Sequence, residues 1–122
     1  MTESDEDRAD ALFHALADRT RRDIVRRVLA GEHSVSALAA SYDMSFAAVQ
    51  KHVAVLERAG LLTKRRQGRE QLASGEVDAV LSVRSMLAEL ETVWRGRVAR
   101  IDDLLALPDT HESRSAPTEP GA

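Results

Sequence analysis

The stretch VSALAASYDMSFAAVQKHVAVLERAG, residues 35–60, constrains this chain more than any other. Apolar residues recur in it at helical spacing, in two runs. Val35, Leu38 and Ala39 mark the first, and Val49, Val53, Leu56 and Ala59 the second. Between them lies Tyr42-Asp43-Met44, and Asp tolerates the left-handed backbone of a tight turn. Ser45 is a good N-cap for the second run, because its hydroxyl accepts from an orphaned backbone N–H. Gly60 follows the last apolar position, where a helix takes a left-handed C-cap. The spacing predicts a short helix, a tight turn and a longer helix.

That order is the helix-turn-helix pattern, in which the second helix enters the DNA major groove. The residues left outside its apolar stripe are Phe46, Ala47, Gln50, Lys51 and Ala54. Ala47 lets the backbone approach a base edge. Gln50 offers a paired donor and acceptor to adenine, and Lys51 reaches guanine or phosphate. An ordinary helical hairpin would share this periodicity, so the following residues decide. Leu61 to Leu72 read LLTKRRQGREQL: a short apolar start, a run of bases, a glycine turn and a second short segment, as in a β-hairpin. Lys64, Arg65, Arg66 and Arg69 surround its tip. Cations of one sign beside a reading helix are placed for backbone or minor-groove contact.

The charge balance fits a nucleic-acid partner only locally. The chain carries a formal charge of −3, yet residues 19–69 hold 11 Lys and Arg against 4 Asp and Glu. A basic block within an acidic chain attracts phosphate where it is needed and limits indiscriminate sticking.

The segments ALADRTRRDIV (15–25), MSFAAVQKHVAVLERAGLL (44–62), GRE (68–70) and a late Trp in LETVWRGRVARIDDLL (90–105) resemble the ArsR/SmtB family of bacterial winged-helix transcriptional regulators. The resemblance covers residues 9–107, with the elements in family order. It implies a mainly α fold with a small β-hairpin wing, a winged helix-turn-helix that dimerises through its first and last helices. Its implied partners are double-stranded DNA and a second copy of the chain. Ser45, Phe46, Ala47, Gln50 and Lys51 would read bases or adjacent phosphates. Arg65, Arg66 and Arg69 would hold the flanking backbone or minor groove, and Arg21, Ser36 and His52 would add phosphate contacts. A hydrogen bond inside the winged domain and a metal ligand are the other readings of His52, and the resemblance favours the hydrogen bond and the phosphate contact. Leu12, Phe13 and Leu16 of the first helix, with Met86, Leu90, Val93, Trp94, Val98, Ile101 and Leu105 of the last, would form the dimer interface. The residues support a buried face there independently, since a terminal helix carrying so long an apolar stripe needs a partner.

Metal-sensing members of the family carry a Cys-Val-Cys type sequence where this chain has Ser34-Val35-Ser36. Hydroxyls are poor ligands for thiophilic metals, and the chain has no cysteine at all. Asp102, Asp103, His111 and Glu112 do not match the spacing of the family's second metal site. We therefore expect no metal and no cofactor, and Ser34 or Ser36 as a helix N-cap. Thiol-based sensing is closed for the same reason, and a small-molecule effector is unidentified. No cysteine nucleophile, phosphate-binding glycine loop or HExxH is present, so an enzyme is not expected. Two other readings stay open at this point: a winged-helix module for a protein partner, and a metal-responsive regulator using a non-cysteine site.

The remaining segments complete the plan. Residues 1–8 are polar and acidic and are expected to be flexible. A helix is expected from about Asp5 to Ala17, with Ala9, Leu12, Phe13 and Leu16 on one face and His14 off it. Asp18 should cap the next helix, whose buried stripe is Ile24, Val25, Val28 and Leu29, ended by Gly31. The wing should span 61–73, Ala73-Ser74-Gly75 should break the chain, and a helical region should run over 76–107. Residues 108–122, after a helix-stopping Pro108, are expected to be a disordered tail. No apolar run approaches the ~18 residues of a membrane span and no signal sequence is recognisable, so a cytoplasmic protein is expected.

Overall fold

Four of the five helices among the described residues begin with a side chain that captures an orphaned backbone N–H. The computed structural model describes residues 4–106. Ser4 caps α1 (Asp5–Leu16) by accepting from the Asp7 N–H at 3.0 Å, and Asp5, Glu6 and Asp7 sit on the positive end of that helix. Asp18 caps α2 (Arg19–Ala30) through the Arg21 N–H, and Ser34 caps α3 (Val35–Ala40) through the Ala37 N–H, each at 3.0 Å. Ser45 caps α4 (Phe46–Arg58) through the Ala48 N–H at 3.1 Å. Each such cap is worth about 1 kcal/mol. Of the two serines considered for α3, Ser34 holds the role and Ser36 lies exposed on the helix. Part of the acidic start expected to be flexible, Asp5 to Arg8, is helical; Met1 to Glu3 and the tail from Leu107 on lie outside the described residues.

The end of α4 shows why Gly60 stands where it does. Its N–H donates to the Glu57 carbonyl at 3.0 Å, and the Leu61 N–H donates to the Leu56 carbonyl at 2.9 Å. This paired closure requires a left-handed residue between them, and Gly60 has φ +82°. Leu61 and Leu62 then turn straight into the core.

Among the described residues the sheet has three strands rather than the expected two. β1 (His33–Ser34), β2 (Leu62–Gln67) and β3 (Glu70–Gly75) are antiparallel in the order β1-β3-β2. Ala73 is central, opposite both Lys64 and His33. Ala73-Ser74-Gly75 therefore do not break the chain; they are the inner end of β3. Their small size serves the close passage of α2. A Cβ on Gly75 would come within 2.8 Å of Leu29, closer than atoms can approach. Leu29 itself, expected to be buried, stays partly exposed above this point.

The core is formed by Leu12 and Ala15 of α1, Ile24 and Val28 of α2, Leu38 of α3, Val49, Val53 and Leu56 of α4, and Leu61, Leu62, Ala73 and Ala79. Burial of each large side chain stabilises by roughly 1.5–3 kcal/mol. Leu12 was expected at a dimer interface, but it is fully buried in this core and is not available to a partner. The face of α1 that turns inward is Leu12 and Ala15, which leaves Phe13 40% exposed. Leu16 and Met86 also lean on the core, partly buried.

The fifth helix, α5, runs from Val77 to Ala106, near the expected 76–107. The chain divides into two units, the first ending at Met86 and the second beginning at Leu87. Among described residues, the second unit is helix alone. Its apolar residues are bare: Leu90 is 66% exposed, Val93 71% and Trp94 57%. Arg97 lies over the Trp94 ring at 5.8 Å. No helix among the described residues is long and apolar enough to cross a membrane.

Candidate nucleic-acid interface

The turn between α3 and α4 is tied to α2 by a polar clasp. The Tyr42 hydroxyl donates to Asp23 Oδ2 at 2.5 Å, and Arg27 Nε donates to the same oxygen at 2.9 Å. The Arg27 guanidinium also lies 5.4 Å from the centre of the Tyr42 ring. The hydrogen bonds from Tyr42 and then Arg27 hold the Asp23 carboxyl below its ordinary range. Burial, with the Asp23 carboxylate beside it, pushes the Tyr42 phenol up to about 12. These contacts seat the turn, and with it the start of α4.

Val49, Val53 and Leu56 bury one face of α4. The opposite face presents Ser45, Phe46, Ala47, Gln50 and Lys51, all exposed. Phe46 stands 47% exposed in the first turn. Beside this face the wing closes through the two-residue loop Gly68-Arg69, with Gly68 at φ +64°, as a tight hairpin requires. The flank of α4 and the wing enclose one cleft. Ser36, Phe46 and Gln50 line it from the helices, and Lys64, Arg69 and Gln71 from the wing. The structure thus brings together Ser36, Phe46, Gln50 and Arg69 of the expected set, while Ser45, Ala47 and Lys51 occupy the adjoining exposed surface. Gln71 and Glu70 were not anticipated in the cleft. Only the hairpin register, with Arg66 opposite Gln71 and Gln67 opposite Glu70, brings them there.

Three residues expected at DNA have partners inside the fold. Arg65 Nε and Nη2 grip both carboxylate oxygens of Glu32, at 3.0 and 2.9 Å. Ser74 donates to the same carboxylate at 3.0 Å. Arg65, and then Ser74, hold Glu32 below its ordinary range. Successive strand residues point to opposite faces. Lys64 turns to Glu57 of α4, with Nζ 3.4 Å from the carboxylate, so Arg65 turns away from that side. Arg66 and Arg69 have no carboxylate partner among the described residues and remain exposed. Arg21, expected at phosphate, donates instead to the carbonyls of Ala15 at 2.7 Å and His14 at 2.9 Å, where α1 ends. Its Nη1 lies 3.3 Å from His52 Nδ1, and Asp18 Oδ2 lies 4.0 Å from the same ring nitrogen. His52 is therefore engaged inside the winged unit.

Chemically, the exposed surface combines an amide, an ammonium, hydroxyls, an apolar ring and flanking guanidinium groups. Amide and ammonium groups address base edges in the major groove, and the guanidinium groups address phosphate. Among the described residues, no group of three or more His, Cys, Asp or Glu is placed to hold a metal ion; His111 and Glu112 lie outside them.

A family model described as a helix-turn-helix domain matches residues 16–65. The chain is 42% identical over 67 residues to YuzN, an HTH-type transcriptional regulator of Bacillus subtilis, covering 49% of this chain and 73% of that one. It is 33% identical over 85 residues to the HTH-type transcriptional regulator Rv2034 of Mycobacterium tuberculosis, covering 70% of this chain and 77% of that protein. Among solved structures, the ArsR family transcriptional regulator RHA00566 superposes with a TM-score of 0.70 at 34% identity, over 78% of this chain and 97% of that one. With these relatives and this winged helix-turn-helix, the chain belongs to the ArsR family of DNA-binding transcriptional regulators.

Proposed function

We propose that the protein acts as a homodimeric repressor that binds an inverted-repeat operator in the cytoplasm and blocks RNA polymerase by occupancy, by binding and not by catalysis. One observation carries this reading: the exposed face of α4 aligns Phe46, Gln50 and Lys51 beside a wing whose Arg66 and Arg69 are free of carboxylates among the described residues. Gln50 reads adenine, Lys51 reads guanine or phosphate, and Ser45 and Ala47 allow close approach. Arg66 and Arg69, with Ser36, hold the flanking backbone. The apolar stripe of α5, with Leu90, Val93, Trp94, Ile101 and Leu105 bare and Val98 half-buried, supports pairing with a second copy. The working unit would be residues 9–107, with the helix-turn-helix at 35–60. Without cysteine, release from DNA would not depend on a thiolate metal site or on thiol oxidation.

A two-fold dimer places its reading helices about 34–36 Å apart, one DNA turn. Selection of bound sequences from a random DNA pool should therefore return an inverted repeat with half-sites about 10–10.5 base pairs apart, centre to centre. Recovery of single, unpaired sites would overturn the dimeric operator reading.

A further inference from the structure

Gln50 and Lys51 sit on α4 immediately before His52, and His52 is held by Arg21. That guanidinium simultaneously donates to the Ala15 and His14 carbonyls at the end of α1. One side chain thus joins the end of α1, the start of α2 and the middle of α4. Its planar fork suits several fixed acceptors at once, and the carbonyls at a helix C-terminus favour a cation. Asp18 is the charged neighbour of the same ring nitrogen, and its carboxyl also caps α2. The apolar contacts of Val49, Val53 and Leu56 secure the depth of α4 in the core, but such contacts are not directional. A hydrogen bond is directional, so the Arg21–His52 contact restrains rotation of α4 about its own axis. Rotation would carry Gln50 and Lys51 sideways, and paired contacts to a base edge tolerate little displacement.

We infer that Arg21 and His52 are positioning residues for base reading: their hydrogen bond orients Gln50 and Lys51 without either residue touching DNA. The inference rests on the proposal that α4 reads bases. It requires the His52 Nδ1 to accept, so the ring proton of the neutral form resides on Nε2.

The test compares Kd for the selected operator and for random DNA, at a temperature where circular dichroism shows each variant folded. His52→Ala and Arg21→Lys should each lower the ratio of operator to random affinity about tenfold, as expected for a misplaced base contact. His52→Asn should restore the ratio to within about twofold, because its side-chain oxygen can accept from the guanidinium. A purely structural role would lower Tm and leave the ratio of the folded protein unchanged, which would overturn the inference. Equal losses in His52→Ala and His52→Asn would also overturn it, since they would trace to the ring and not to the accepted bond. Gln50→Ala separates the two levels. If it lowers the ratio and His52→Ala does not, the positioning role alone fails. If neither lowers the ratio, base reading by α4 fails and the positioning role with it.

Discussion

Tyr42 is the only tyrosine in the chain, so the clasp it forms with Asp23 and Arg27 can be followed one group at a time. Burial and the neighbouring carboxylate raise its phenol to about 12, from an ordinary value of 10.0. A group whose folded pKa is raised contributes stability that is fully present below the unfolded pKa. That stability is lost as pH rises from about 10 toward 12. Spectrophotometric titration should therefore find native Tyr42 ionising near pH 12, with Tyr42→Phe abolishing this part of the alkaline loss of stability. Ionisation at the ordinary value would mean that the clasp does not form in solution. At neutral pH, Tyr42→Phe should cost about 1 kcal/mol, the net worth of one hydrogen bond. Asp23 works with the opposite sign: its lowered pKa contributes stability that disappears as pH falls through the folded value. The partner of each of these side chains lies in another element, which is why the sequence shows Tyr42 only as a turn residue. Arg21 and Arg65 are hidden in the same way. Composition marks them as cations near a reading helix, but only the fold reveals the Ala15 and His14 carbonyls and the Glu32 carboxylate that engage them.

At the scale of elements, the wing divides its own cations. Arg65, Arg66 and Arg69 are all exposed, but Arg65 is paired with Glu32. Arg69→Ala should reduce the slope of log K against log salt by about one and weaken binding to every sequence. Arg65→Ala should leave that slope close to that of the unaltered protein. A slope reduced equally by both would show that Glu32 releases Arg65 to phosphate on binding. Element boundaries set by local chemistry were legible in advance. Asp18, Ser45 and Gly60 each act within a few residues of themselves, and each performs the expected cap. β1 was not legible, because two residues carry no periodicity and their partners at Ala73 and Leu72 are distant in sequence. Gly75 misled for a related reason. A small-residue run reads as a break, although here it is a strand thinned to admit α2. In α1 the apolar stripe was found, but four residues on one helical face do not tell which edge turns inward. Leu12 and Ala15 did, and Phe13 did not.

For the molecule as a whole, the proposed dimer rests on the exposed face of α5. Leu90 and Val93 make so little contact within the chain that charged substitutions there should spare the winged unit. Leu90→Glu combined with Val93→Lys should give a folded monomer in sedimentation velocity, with operator affinity reduced at least about a hundredfold, as one recognition helix reads only half a site. A double variant that stays dimeric would move the assembly surface away from this face.

Fluorescence anisotropy can show whether α4 reads sequence. Labelled operator and labelled random DNA would be titrated at two salt concentrations with the unaltered protein and with Gln50→Ala. Affinity should fall steeply with salt on both DNAs, through counterion release, with a clear preference for the operator. Gln50→Ala should erode that preference by ~1–3 kcal/mol while leaving binding to random DNA unchanged. Equal losses on operator and random DNA would contradict base reading by Gln50. The absence of any operator preference in the unaltered protein would contradict sequence reading by α4 altogether.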